Sequence, residues 1–310
     1  MPMADAKRPD RRRFLHALSM SVLSGAMLSA RADSAPLLSH AIPASGERIP
    51  VIGLGSSRTF NVGQDRRLRN NCTEVMREFL QAGGTFIDSS PMYGTAQDVI
   101  GDGLDKLGST RKVFSADKVW IGNPAGGPAQ METSRELWRV PRFDLMQVHN
   151  LVSWQSHLET LYRMKQDGEI RYVGITTSHG RRHRDLDAIM RTEPLDFVQL
   201  SYNITDREVE QRLLPLARER GIAVIVNRPF QRGALIDRLS RFPLPEWAAE
   251  AGAANWAAFL LKFIVSHPAV TVAIPATSQV AHVIENMSAC RGPLPDAALR
   301  RRMIAYVEGL

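Results

Sequence analysis

The chain has 310 residues, 44% hydrophobic and 23% charged, with a formal charge of +7. These are the values of a soluble globular protein, and the length buries a large core without help from disulfides or a metal. The basic excess gathers at one end. Residues 1–32 carry six cations against two acids, net +4, which leaves +3 for the remainder. That remainder has no stripe of Lys and Arg interleaved with aromatics, so a nucleic-acid partner is not expected. The short run Arg181-Arg182-His183-Arg184 reads as a solvated loop or helix start. Cys72 and Cys290 have no CxxC partner or metal spacing, and no HExxH occurs, so no metal site is expected.

In chain order the first feature is an address. Arg11-Arg12-Arg13 precede Phe14-Leu15, a Ser- and Ala-rich apolar run follows, and Ala30-Arg31-Ala32 offers a small-x-small cleavage site. That is the layout of a secretory signal, with an apolar run too short to span a bilayer. The paired arginines before Phe-Leu resemble a bacterial twin-arginine (Tat) signal. Residues 1–32 are therefore expected to be a signal peptide, and 33–310 a single folded domain in the periplasm or secreted. The export machinery is then a partner, and the membrane is met only transiently.

After the leader, short β-branched runs alternate with helical patterns. The predicted strands are 49–56, 85–90, 112–118, 144–150, 172–177, 196–203, 223–229 and 270–276. Between them, 67–82 places Leu68, Val75, Met76, Phe79 and Leu80 near helical spacing. Residues 153–167 do the same with Trp154, Leu158, Leu161, Tyr162 and Met164. Helices are also predicted over 207–220, stopping at Gly221, and over the Ala-rich 246–266. Strands alternating with helices mean βαβ units and a parallel sheet. Eight units predict an α/β fold closed into a (β/α)8 TIM barrel, with no linker or charge block to divide it.

Barrel sites sit at the C-terminal ends of the strands. Polar residues that end apolar strands are thus the candidates. The second run ends at Asp88, with Tyr93 in the loop after it; the third ends at Lys118 and the fourth at His149. Singly, each has an ordinary structural use as a cap, a turn aromatic, a surface charge or a core histidine. Together they suit hydride chemistry. A hydride arriving at a carbonyl carbon creates an oxyanion that needs a proton. Tyr93 is a donor with an ordinary pKa near 10, and a neighbouring Lys118 is expected to lower it by about three units. Asp88 would keep the lysine charged, and His149 would orient the carbonyl oxygen.

The stretches FIDSSPMYG, FSADK, QVHN, GEIRYVGIT, VQLSYN, ERGIAVIVNRP and AIPATSQVAHVIEN, in this order over roughly 45–290, resemble the aldo/keto reductases. The resemblance implies that Asp88, Tyr93, Lys118 and His149 are the catalytic tetrad and that the cofactor is NADP(H) or NAD(H). It further implies that Thr176, Thr177 and Gln199 hold the nicotinamide carboxamide. Asn227, Arg228 and Phe230 would lie along the nicotinamide and pyrophosphate. Pro275, Ala276, Thr277, His282, Glu285 and Asn286 would surround the adenosine end. A small-molecule carbonyl compound is the implied substrate.

Four positions depart from the family pattern. Asn227 stands where an aromatic usually stacks on the nicotinamide. Ala276 and His282 stand where a cation for a 2′-phosphate is common. Gln97 replaces a glutamate common after the Tyr-Gly pair. A second reading of the sequence is therefore an exported barrel that binds a sugar-like ligand without hydride transfer.

Overall fold

The computed structural model describes residues 37–310, and the predicted leader lies outside them. Eight parallel strands form one sheet. They are β3 (Leu54–Gly55), β4 (Phe86–Asp88), β5 (Phe114–Val119), β6 (Phe143–His149), β7 (Ile170–Thr176), β8 (Phe197–Ser201), β9 (Ala223–Asn227) and β10 (Val270–Ala273). Each pairs with the next in chain order. Parallel bridges Ile52–Ala273 and Gly55–Ala276 join the two edges and close the barrel.

Helices α1 (Arg66–Gln81), α2 (Ala96–Lys106), α3 (Gly127–Trp138), α4 (Trp154–Gln166), α5 (His183–Thr192), α6 (Leu213–Arg220), α7 (Ala234–Leu239), α8 (Trp256–Val265) and α9 (Val280–Ser288) fall between or after the strands, and α10 (Ala297–Glu308) ends the chain. Helix α1 begins where Asp65 accepts the Leu68 N–H at 3.0 Å, a side-chain N-cap. It buries Val75, Met76 and Phe79 of the predicted stripe and leaves Leu68 and Leu80 half-buried, while Cys72 joins the buried face.

Three predicted segments differ in detail. Run 49–56 divides: β2 (Arg48–Pro50) pairs antiparallel with β1 (Ser39–Ala41), and only Leu54–Gly55 enters the barrel sheet. Segment 246–266 is broken by Gly252 at φ +67, and a new helix starts where Asn255 accepts from Ala258 N–H. Segment 207–220 is a short 3-10 turn followed by α6, which stops at Gly221 in the left-handed conformation, as expected.

The core has two layers. Phe86, Phe114, Leu145, Tyr172, Phe197, Ile225 and Val272 fill the barrel interior, with Phe86 and Phe114 stacked at 4.9 Å. Aromatic pairs of this kind add about 0.5–1.5 kcal/mol beyond area burial. A larger layer packs the strands' outer faces against the helices. Cys72 and Cys290 are free, buried thiols, and burial pushes them up to about 11 and about 12, which leaves both unreactive.

Strand register sets the upper end of the barrel. Lys118 pairs with Gln147, His149 with Thr176, Thr176 with Gln199, and Ser201 with Asn227. Gly174 permits the close approach at this level. A Cβ there would lie 2.9 Å from the Phe197 carbonyl oxygen and 3.1 Å from the Gln147 side chain.

Candidate active site

Asp88, Tyr93, Lys118 and His149, the four residues of the expected tetrad, meet at this end. Asp88 closes β4 and is 2% exposed; Lys118, near the end of β5, is fully buried. Lys118 Nζ donates to Asp88 Oδ2 at 2.6 Å and to the Ser89 carbonyl at 2.6 Å. The half-buried Tyr93 ring lies with its centroid 5.3 Å from that ammonium. His149 stands edge-on to Tyr93, ring centroids 5.7 Å apart, and its Nδ1 meets Ser90 Oγ at 2.7 Å. The turn carrying Tyr93 is fixed by Ser90, whose hydroxyl accepts the Met92 N–H at 3.1 Å.

Charge among these buried groups is distributed unevenly. Burial alone would depress Lys118, but Asp88 and Tyr93 carry its pKa above the ordinary value, so it stays an ammonium. Burial pushes His149 down to about 3, with Lys118 adding to the effect, so the imidazole is neutral. Tyr93 departs from the sequence expectation. Lys118 lowers its pKa as anticipated, yet burial outweighs that pull, and Asp88 and Asp117 oppose it, so the phenol is held above its usual range.

The floor beside the tetrad is a chain of amides. Asp88 Oδ1 accepts from Gln199 Nε2 at 2.9 Å and from Gln147 Nε2 at 3.3 Å. Gln199 Oε1 accepts from Thr176 Oγ1 at 3.2 Å and from Asn227 Nδ2 at 3.3 Å. Asn227 also donates to the Thr177 carbonyl at 2.9 Å and accepts from Ser201 Oγ at 2.7 Å. Thr176, Thr177, Gln199 and Asn227 thus form one connected surface running from Asp88. At position 227 a flat amide tied on three sides occupies the place where the family pattern has an aromatic.

Beyond that floor lies a cationic rim. Arg228 follows β9 at φ +53, with its guanidinium against His179 Nε2. Burial, then Arg228, Arg232 and Arg181, hold His179 below its ordinary pKa. Burial and Arg232 likewise lower Arg228. No ion pair or side-chain hydrogen bond occupies Arg181 or Arg232 among the described residues. Three cations crowded without a contacting carboxylate form a donor set that fits a phosphate-bearing ligand. Arg182, the next residue in the run, is instead spent on Asp185 and the Asn150 carbonyl.

The remaining predicted residues follow β9 and β10. Phe230 packs against the core. Pro275 and Thr277 are buried and Ala276 is exposed. Thr277 Oγ1 caps Gln279 N–H at 3.0 Å and lies 3.4 Å from His282 Nδ1. On α9, His282 is exposed, Glu285 half-buried and Asn286 buried.

Several residues of the site were not singled out by the sequence. Gln147, Ser89, Ser90 and Ser201 are the partners that orient the candidates. Trp120 stands 6.5 Å from the His149 ring and Met92 beside it in sequence to Tyr93; both remain exposed, a rim of apolar surface at the mouth. The available signal was adjacency: all but Ser201 lie within two residues of Asp88, Tyr93, Lys118 or His149, and Ser201 lies two residues from Gln199.

The profile of the Aldo/keto reductase family matches residues 51–302, and the chain belongs to that family; it is an oxidoreductase of that type. It is 27% identical over 265 residues to methylglyoxal reductase YeaE of Escherichia coli (strain K12), covering 83% of this chain and 91% of the relative. It is 25% identical over 223 residues to the NADH-specific methylglyoxal reductase of the same organism, covering 62% and 65% of the two chains. Among solved structures, an aldo/keto reductase from Klebsiella pneumoniae in complex with NADP and acetate superimposes with a TM-score of 0.72. That match is 24% identical and covers 84% of this chain and 93% of that one.

Proposed function

We propose that this protein reduces a small aldehyde or ketone with NADPH or NADH, Tyr93 being the proton donor. One observation carries the reading: a buried ammonium, Lys118, pinned by Asp88 and Ser89 beneath the Tyr93 ring. When bound, a reduced nicotinamide supplies the hydride. As the carbonyl oxygen gains charge it needs a proton, and Tyr93 is a protonated phenol at neutral pH. Lys118 stabilises the phenolate left behind, and Asp88 keeps the lysine charged throughout. Ser90 Oγ accepts from Met92 N–H, so its own hydrogen is free for His149 Nδ1. The imidazole proton then lies on Nε2, as a neutral donor for the carbonyl oxygen.

Thr176, Thr177 and Gln199 would hold the carboxamide, with Asn227 beside the ring. Arg228, Phe230, Arg181 and Arg232 would take the pyrophosphate. Pro275, Ala276, Thr277, His282, Glu285 and Asn286 would enclose the adenosine end. That last stretch contains no Lys or Arg, so acceptance of NADH alongside NADPH is expected. A barrel that only bound a sugar-like ligand would have no use for a buried Lys–Asp pair under a tyrosine.

Tyr93→Phe tests the reading. It is expected to cut dinucleotide-linked aldehyde reduction by about 10²–10⁴-fold with dinucleotide affinity retained. Turnover that survives the change removes Tyr93 as the acid.

The leader belongs to the same proposal. Residues 1–32 serve as a twin-arginine signal, and 33–310 travel folded, with the cofactor already bound, to the periplasm or beyond. The support is the Arg12-Arg13-Phe14-Leu15 sequence and the small-x-small site after it. Nicotinamide absorbance released on denaturing the exported protein is the expected result; an exported protein that binds no dinucleotide contradicts it.

A further inference from the structure

Asp117 is a carboxylate with no solvent exposure, set in the barrel wall next to Lys118. Alternation along β5 turns Lys118 inward and Asp117 outward, under α2 and α3. Its contacts are spare. Oδ1 accepts the Lys118 backbone N–H at 2.7 Å, and Oδ2 accepts Gln97 Nε2 at 2.8 Å. Gln97 Nε2 also donates to Ser134 Oγ at 2.9 Å, and all three side chains are buried. Gly101 makes the enclosure possible: a Cβ there would lie 1.9 Å from the Leu137 carbonyl oxygen, so α2 and α3 touch above the carboxylate.

The charged groups around it are few. Lys118 on its own strand attracts it, and Asp88 on β4 opposes it. Tyr93, in the turn after β4, is coupled to it. On β6 its register partner is Met146, while Asp144 is tied to Ser115 and Arg171. The acids and bases of α2 and α3 pair away from it, Asp98 and Asp102 with Arg69, Lys106 with Asp102, and Glu132 with Arg135. Among the described residues no cationic side chain touches its oxygens.

We propose that Asp117 is a positioning residue for the reduction, a buried carboxyl whose protonation, accommodated by Gln97, sets how readily Tyr93 gives up its proton. This rests on Tyr93 being the acid. An amide serves both states of the carboxyl. As carboxylate, Asp117 accepts from the Gln97 NH2. When a proton from bulk water bonds to Oδ2, the amide turns and its oxygen accepts that O–H, while the Ser134 hydroxyl, which donates to the Gln130 carbonyl at 3.0 Å, turns from that carbonyl to donate to the same oxygen. A glutamate at position 97 would instead set two carboxylates against each other. The consequence reaches the tetrad through charge. Ionised Asp117 raises the Tyr93 pKa and opposes the phenolate; neutral Asp117 does not. Burial holds the Asp117 carboxyl up to about 7, against Lys118 and Gln97, so both forms are present near neutrality.

The test compares wild type with Asp117→Asn, which keeps the Lys118 N–H bond through Oδ1 and, once the Gln97 amide turns, the Gln97 bond with donor and acceptor exchanged. In wild type, kcat/KM for reduction is expected to fall several-fold as pH rises through about 7. In Asp117→Asn that step is absent and the alkaline value exceeds wild type. Infrared difference spectra of the protein alone are expected to show a protonated carboxyl lost over the same pH range, missing in Asp117→Asn and moved to higher pH in Gln97→Glu. The same pH step in Asp117→Asn, or no such carboxyl in wild type, overturns the proposal. The infrared result does not depend on Tyr93, so it separates failure here from failure of the Tyr93 assignment.

Discussion

Lys118 Nζ lies 2.6 Å from Asp88 Oδ2, and neither side chain is more than 3% exposed. Removing one partner of such a pair leaves an uncompensated buried charge, at a cost of about 3–5 kcal/mol. Lys118→Met strands Asp88 among the amides of Gln147 and Gln199; Asp88→Asn strands Lys118 on the Ser89 carbonyl. Both are expected to lower the melting temperature and to cut kcat by about 10²-fold or more, since the phenolate loses its counter-charge. Thermal unfolding and steady-state rates on the same samples check this. Either variant with wild-type stability and rate would dismiss the pair as a working unit.

His149 gives a prediction about acid stability. Its folded pKa is about 3 against an ordinary 6.5. Below 6.5 the unfolded chain takes up a proton that the folded chain refuses, so stability falls as pH drops from about 6.5 toward 3. His149→Gln deletes this contribution. Urea unfolding at neutral and mildly acidic pH is expected to show a shallower loss for the variant, by up to roughly 1.4 kcal/mol per pH unit. Some slope remains, because burial also lowers His267, to about 4, and depresses His40. An unchanged slope would mean that His149 is protonated when folded.

The sequence carried the barrel because its strands are buried on both faces and so appear as apolar runs that end abruptly in polar residues. The same abruptness gave Asp88, Lys118 and His149. What it did not carry has two physical causes. β1 and β2 are three residues each, too short for any periodicity, so Ile49 and Pro50 merged with the strand that follows. Asp117 stood in plain view in FSADK, but strand alternation hid it; an acid beside a lysine reads as one charged end until the backbone sends them to opposite faces. The direction of the Tyr93 shift was misjudged because composition shows the neighbouring ammonium and conceals the burial that outweighs it.

Trp120 tests how substrate is held. Its backbone is clamped by Gln130, whose side chain accepts the Trp120 N–H at 2.7 Å and donates to the Trp120 carbonyl at 2.9 Å. The exposed indole therefore projects from a fixed base beside His149. Trp120→Ala is expected to raise KM about tenfold for aromatic aldehydes, an aromatic contact being worth about 0.5–1.5 kcal/mol beyond its area. Rates with two- or three-carbon carbonyls should change little. Equal losses for both substrate classes would assign Trp120 to loop stability instead.

Arg228 provides the strongest test of the cofactor end. Burial first, then Arg228, Arg232 and Arg181, lower the proton affinity of His179; burial and then Arg232 lower Arg228, with Asp206 opposing, so an anion entering the rim meets several cations at once. A charge-assisted hydrogen bond contributes about 1.5–3 kcal/mol. Arg228→Ala should therefore weaken dinucleotide binding by roughly 10- to 100-fold. The loss should be similar for NADPH and NADH, because the pyrophosphate is common to both, and the salt dependence of binding should become shallower. In the protein alone, the His179 pKa should rise toward its ordinary value, which an NMR titration of the imidazole reads directly. A His179 shift without any change in dinucleotide affinity would leave the cation cluster in place and remove it from the cofactor path.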